Sequence, residues 1–256
     1  MLSNPWFIAI ALNTMLLAIA AIAPKKLLTP SGIAHAWVLG VTLWGTLGWP
    51  GYTVMMFYFL VGSAVTRIGL AEKEALGIAE ARSGARGPGN VWGSALVGFI
   101  CAIAITLIRL NAPTSPLIPL LLIGYVASIS TKLSDTCGTE VGKAYGKRTY
   151  LITTLQSVPR GTEGAVSLEG TLAGVVGSVA IATVAWSVGL ISPPGIGICA
   201  IAAFIATTIE SLIGATIEGK LPLLTHDVVN ILNTLIGAAI AILLTWLSST
   251  AFALSS

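Results

Sequence analysis

The chain has 256 residues, 55% of them hydrophobic and only 9% charged, with a formal net charge of +3 and a mean hydropathy of +0.91. Soluble domains carry charge at about a quarter of their positions, so this composition excludes an ordinary soluble protein and specifies an integral membrane one. Three widely spaced cysteines, Cys101, Cys137 and Cys199, exclude a disulfide framework and a tetrahedral zinc site; Cys137, alone in a polar region, reads as a small filler.

In chain order, apolar runs occur at 6–23, 33–49, 52–66, 91–110, 117–130, 166–190, 196–214 and 228–247. They predict an all-α polytopic membrane fold of seven to eight spanning helices in a single domain, 1–256. The first run lacks a basic preceding region and a small-residue cleavage pattern, so it is a retained span. The second, third and fifth are shorter than the roughly 20 residues a span needs, which predicts tilted or broken helices. Trp49-Pro50-Gly51 and Ser192-Pro193-Pro194-Gly195 read as tight turns at one face. Gly170, Gly174 and Gly177 have the spacing of close helix packing in lipid.

Between the runs, charge gathers at 25–26, 67–90, 132–160 and 217–227. Eight crossings put all four stretches on one side and leave only Arg109, of thirteen basic residues, on the other. The excess of basic residues makes that side cytoplasmic, with loops at about 67–90 and 132–165.

The stretch 132–160 sets Lys132, Lys143, Lys147, Arg148 and Arg160 among Gly138, Gly142 and Gly146. Cations neutralise phosphate oxygens, and glycines let backbone N–H groups approach them. The spacing is not that of a Walker A loop, since no Ser or Thr follows Lys143 or Lys147. Asp135 and Glu140 near a span border, with Glu163 beyond, are the carboxylates for a magnesium ion, which takes a few acids plus substrate phosphates. In 67–90, Arg86 and Asn90 precede a span and point to a lipid phosphate. Glu210 within an apolar run is a metal-ligand or ion-pair candidate. Asn230 and Asn233 share one helix face, and His35 lies near the same interface, so all three are lipid-phosphate candidates. Asp227 reads as a helix cap.

The order Ser134-Asp135-Thr136, Glu140-x-Gly142-Lys143, Gly146-Lys147, then Arg160-Gly161-Thr162-Glu163-Gly164 with Ser167, Gly170, Thr171 and Gly174 behind it, resembles the membrane family that includes plant and cyanobacterial phytyl-phosphate kinases. More distantly it is similar to polyprenol kinases and CDP-lipid synthases, which use cytidine nucleotides. The resemblance implies conversion of phytyl monophosphate to the diphosphate, in salvage of phytol for tocopherol and phylloquinone. It implies magnesium, and CTP as the nucleoside triphosphate. Catalytic roles then fall on Asp135, Lys143 and Glu163, and nucleotide or phosphate contacts on Lys132, Ser134, Thr136, Gly142, Gly146, Lys147, Arg160, Thr162 and Ser167. Metal contacts fall on Asp135, Glu140, Glu163 and Glu210. Partners are a long-chain prenyl monophosphate and membrane lipids, not nucleic acid, in a plasma or thylakoid membrane if the source is cyanobacterial. Distant relatives carry two lysines where this chain has Arg160-Gly161, a departure from their cytidylyltransferase pattern. The residues alone leave open a CDP-lipid-forming cytidylyltransferase and a transporter of an anionic solute.

Overall fold

The structure, a computed structural model, describes residues 4–217 and 224–255; residues 218–223 of the fourth charged stretch lie outside it. Helices α1 (Pro5–Ile22), α2 (Pro30–Thr66), α4 (Pro88–Asn111), α5 (Leu117–Tyr145), α6 (Leu168–Ser187), α7 (Pro193–Thr216) and α8 (His226–Ser255) make the bundle. The short α3 (Leu70–Ala75) and a 3-10 turn at Ala81–Gly84 lie between α2 and α4, and strands β1 (Thr149–Leu151) and β2 (Ala165–Ser167) pair antiparallel between α5 and α6. Six described helices, α1, α4, α5, α6, α7 and residues 226–249 of α8, are long and apolar enough to cross a membrane.

Helix α2 is not in that set and is not one rod. Gly48 adopts φ 67°, ψ −164°, and Pro50 follows, so the chain reverses there. Both ends of α2 meet at one place: Gly32 closes on the Arg86 carbonyl, and Gly62 faces the Arg86 guanidinium. Each arm of about 18 residues spans about 27 Å, close to the hydrocarbon thickness. The expected turn at 49–51 is therefore a reversal one residue earlier, with Trp44 and Tyr52 in edge contact at 5.2 Å across it. Helix α1 packs on these arms through Asn13, whose side chain donates to the Ala9 carbonyl and accepts from Tyr52 at 3.0 Å.

At the centre stands α5, packed by α2, α4, α6, α7 and α8. Residues 132–143, expected to be loop, continue this helix to Tyr145. The reason is spacing: Lys132, Asp135, Thr136, Thr139 and Lys143 fall on one helical face towards a cavity, while Leu133, Cys137 and Ala144 are buried on the other side. Glycines would weaken such a helix, but here they allow main-chain contact with α6. A Cβ at Gly170 would lie 2.6 Å from the Gly138 carbonyl oxygen, and one at Gly174 3.0 Å from that of Ser134. Cys137 fills the same seam opposite Gly177.

Candidate functional site

At the end of the bundle where charge gathers, the termini of α2, α4, α5, α6, α7 and α8 enclose a cavity of about 450 Å³. Its floor is a chain of polar side chains from three helices. Lys132 of α5 donates to Asp135 at 2.6 Å and to the side-chain oxygen of Asn230 on α8. The Asp135 carboxyl lies within hydrogen-bonding reach of Glu210 on α7, and Glu210 accepts from the Asn233 amide of α8. Charge placed this deep in an apolar bundle is expensive unless partnered, and each group here has a partner. Asn230 and Asn233, one helical turn apart, serve the two ends of that chain.

The opposite wall carries Arg86. Its guanidinium donates to the Tyr58 hydroxyl at 2.6 Å and stacks on the Tyr58 ring at 4.7 Å, while Tyr58 donates to Ser94 at 2.9 Å. Its backbone is pinned by Arg86 N–H to the Leu27 carbonyl and Thr29 N–H to the Arg86 carbonyl, at 2.9 and 3.0 Å. Arg86 has no carboxylate partner among the described residues, and it lines the cavity. Lys143, on the same face of α5 as Asp135, also lines the cavity, and its ammonium makes no hydrogen bond among the described residues.

The structure brings together Lys132, Ser134, Asp135, Thr136, Glu140, Gly142, Lys143, Thr162, Glu163, Ser167 and Glu210, with Arg86, Asn90 and Asn230. Several have work of their own. Glu140 is buried against the Lys73 ammonium, which also donates to the Thr66 carbonyl at 2.8 Å. Asn90 accepts from the Gly87 N–H and from Arg82, capping α4. Ser167 caps α6 through Gly170 N–H at 3.1 Å, and Gly146 closes α5 through its N–H to Gly142.

Five expected contacts, His35, Gly146, Lys147, Arg160 and Asn233, are not in the cavity lining. Arg160 turns away from the cavity to Glu72, at 2.7 Å, and to the Lys143 and Ala144 carbonyls at the end of α5. A cation there satisfies carbonyls that the helix leaves unpaired, which sequence position beside a glycine does not reveal. Lys147 is exposed beyond the helix end. His35 accepts from the Trp92 indole N–H at 2.8 Å and lies outside the cavity lining. Sequence reading missed Tyr58, Lys73, Ser94 and His226. A tyrosine in an apolar run and a histidine beside Asp227 were the only visible traces of two of them.

The four acids proposed for a metal all line the cavity, yet no three His, Cys, Asp or Glu side chains among the described residues are grouped tightly enough to hold an ion. Glu140 is committed to Lys73, and Glu163 sits on an exposed rim. Asp135 and Glu210 remain as an adjacent pair. Two carboxylates plus substrate phosphate oxygens are a donor set magnesium accepts, so the residues present fit that ion. The lining counts five acids (Glu80, Asp135, Glu140, Glu163, Glu210) against three bases (Arg86, Lys132, Lys143). An anionic substrate would be repelled by such a balance unless a cation entered with it.

The sequence profile of a family described as integral membrane protein DUF92 matches residues 13–238. A membrane protein of Synechocystis sp., described as uncharacterized, is 63% identical over 241 residues, covering 94% of this chain and 92% of its own. The chloroplastic protein VTE6 of Arabidopsis thaliana is 43% identical over 244 residues, 94% of this chain and 72% of its own. A membrane protein of Methanocaldococcus jannaschii, likewise uncharacterized, is 30% identical over 240 residues, 93% and 94% of the two chains. No solved structure matches.

Proposed function

Because the chain belongs to the DUF92 family of integral membrane proteins, we propose that it phosphorylates a membrane-borne prenyl monophosphate, phytyl phosphate or a close relative, with CTP as donor and magnesium as cofactor. The observation that carries this reading is the pairing, in one cavity at the border of apolar helices, of cations with spare donors, Arg86 and Lys143, with the adjacent carboxylates Asp135 and Glu210. The resemblance to phytyl-phosphate kinases supplies the chemistry to which that geometry is suited. The charged end is cytoplasmic in this reading, where nucleotides are available.

The acceptor phosphate oxygen attacks the terminal phosphorus of the nucleotide, a new P–O bond forms, and the bond to the bridging oxygen breaks with its electron pair leaving on the nucleoside diphosphate. A phosphate monoester has a second pKa near 6 and is already largely ionised, so no strong protein base is needed. Two anions must approach each other. Arg86, held by Tyr58 and by two backbone bonds, takes one phosphate in a fixed fork; Lys143 offers a mobile charge to the other. Lys132 holds Asp135 in place and contacts phosphate less directly, since its ammonium is already shared by Asp135 and Asn230. Asp135 and Glu210 would hold a magnesium ion, which would neutralise the nucleotide phosphates.

The test is an assay of the purified full chain in lipid with phytol, phytyl phosphate and geranylgeranyl phosphate against γ-labelled nucleotides. Label in a prenyl diphosphate supports the proposal. Retention of cytidine monophosphate in lipid would make the chain a cytidylyltransferase, and solute flux in vesicles without nucleotide turnover would make it a transporter.

A further inference from the structure

We infer that the cavity opens sideways into the bilayer between α6 and α7, and that this opening holds the alkyl chain of a phosphorylated lipid. The headgroup assignment rests on the function proposed above; the opening itself is read from the walls. Thr171 of α6 and Phe204 of α7 line the cavity and are both exposed, Phe204 at 47%. Exposed cavity-lining side chains with exposed apolar neighbours on their own spanning helices mark the edges of a gap in the wall. Around this gap the outer surface is Leu172 and Val176 of α6 and Ile201 and Ile205 of α7, all exposed apolar residues of spanning helices.

The frame is defined on every side. Above, Gly164 presses on Ser211 and Ala215 of α7, where a Cβ would lie 2.5–2.6 Å from their atoms, so the 161–164 loop closes the top. Behind, Ser134 and Gly138 of α5 meet Gly170 and Gly174 of α6 through their main chains, so a ligand lies over this seam and not through it. Phe204 is six residues before Glu210, about 9 Å along the helix, which carries the gap below the charged end towards the hydrocarbon. The occupant must therefore present an anion to Arg86 and Lys143 and an apolar chain to the lipid phase. A lipid monophosphate meets both demands, whereas a soluble anion leaves the gap unfilled and an uncharged lipid leaves the cations unused. Lipid tails outside are as apolar as the gap, so the gap contributes little to affinity and discriminates chains by shape.

The experiment uses the full chain in nanodiscs with a geranylgeranyl phosphate analogue carrying a diazirine in the half of its chain nearer the phosphate. After irradiation, mass spectrometry is expected to find label on peptides containing Thr171 or Phe204 that unlabelled geranylgeranyl phosphate competes away and geranylgeraniol does not. Thr171→Trp should suppress that competed label and raise KM for geranylgeranyl phosphate relative to dimethylallyl phosphate by about tenfold, the cost of one bulky misfit. Competed label on other helices, no competed label, or label displaced equally by the alcohol, meaning bulk lipid contact only, overturns the inference. Competed label at the gap without phosphoryl transfer from any nucleotide would keep the opening and refute the kinase reading. Turnover with the label elsewhere would do the reverse.

Discussion

Replacing Lys73 by methionine removes an ammonium that is 1% exposed and leaves the Glu140 carboxylate, 5% exposed, buried without its partner. Two bonds go at once, to Glu140 and to the Thr66 carbonyl at 2.8 Å. Breaking one side of a buried ion pair costs about 3–5 kcal/mol, whereas replacing both sides with apolar groups of similar volume is close to neutral. At about 2–4 °C per kcal/mol for a chain of this size, the expected fall in melting temperature is roughly 6–20 °C. The double variant Lys73→Met with Glu140→Met should regain most of that loss. The assay is thermal unfolding of all four proteins in detergent, followed by size-exclusion fluorescence, so that the coupling comes from a double-mutant cycle. A single variant within about 2 °C of the parent, or a double variant as unstable as the two singles summed, would refute the pair as a buried interaction.

Asp135→Asn should preserve insertion and folding but lower magnesium-dependent turnover about a hundredfold or more, comparable to losing one charge-stabilising group; wild-type kcat would remove Asp135 from the metal. Arg160→Ala should leave the nucleotide KM unchanged and lower stability by about 1 kcal/mol, the worth of a half-exposed ion pair and a helix-end cation; a raised nucleotide KM with unchanged stability would return Arg160 to the phosphates. Gly170→Val should sharply reduce the yield of folded protein, because its Cβ meets the Gly138 carbonyl oxygen at 2.6 Å and backbone cannot yield there; normal yield and melting would show that α5 and α6 are not in main-chain contact.

Hydropathy made the helices legible, including the three short runs, two of which are the arms of α2 and the third the first half of α5, because any lipid-crossing segment must pair its own backbone. It also made the gathering of charge at one end legible, since Lys132, Asp135 and Glu210 have nowhere else to be tolerated. The helical state of 132–143 escaped because charge and glycine were read as marks of a loop. Their three- and four-residue spacing, with Leu133 and Cys137 on the other face, was present in the sequence and pointed the other way. The Lys73–Glu140 pair escaped for another reason: the two are 67 positions apart, and no local pattern distinguishes a lysine that will be buried from one that stays in water. Arg160 and His35 show the same limit. Their residue types suit phosphate, but a helix end and an indole took them first.

Helix α5 is at once the axis on which five other long helices pack and the surface bearing Lys132, Asp135, Glu140 and Lys143. Stability and the proposed activity therefore draw on the same dozen positions, so that selection for one constrains the other. Apolar replacement of both members of a buried pair together, Lys132 with Asp135 or Lys73 with Glu140, relieves desolvation in the middle of the bundle, so a library screened only for heat resistance should enrich such paired changes. The survivors of that screen would be sturdier proteins that no longer turn over substrate, and the native sequence is the compromise that a screen for turnover would restore.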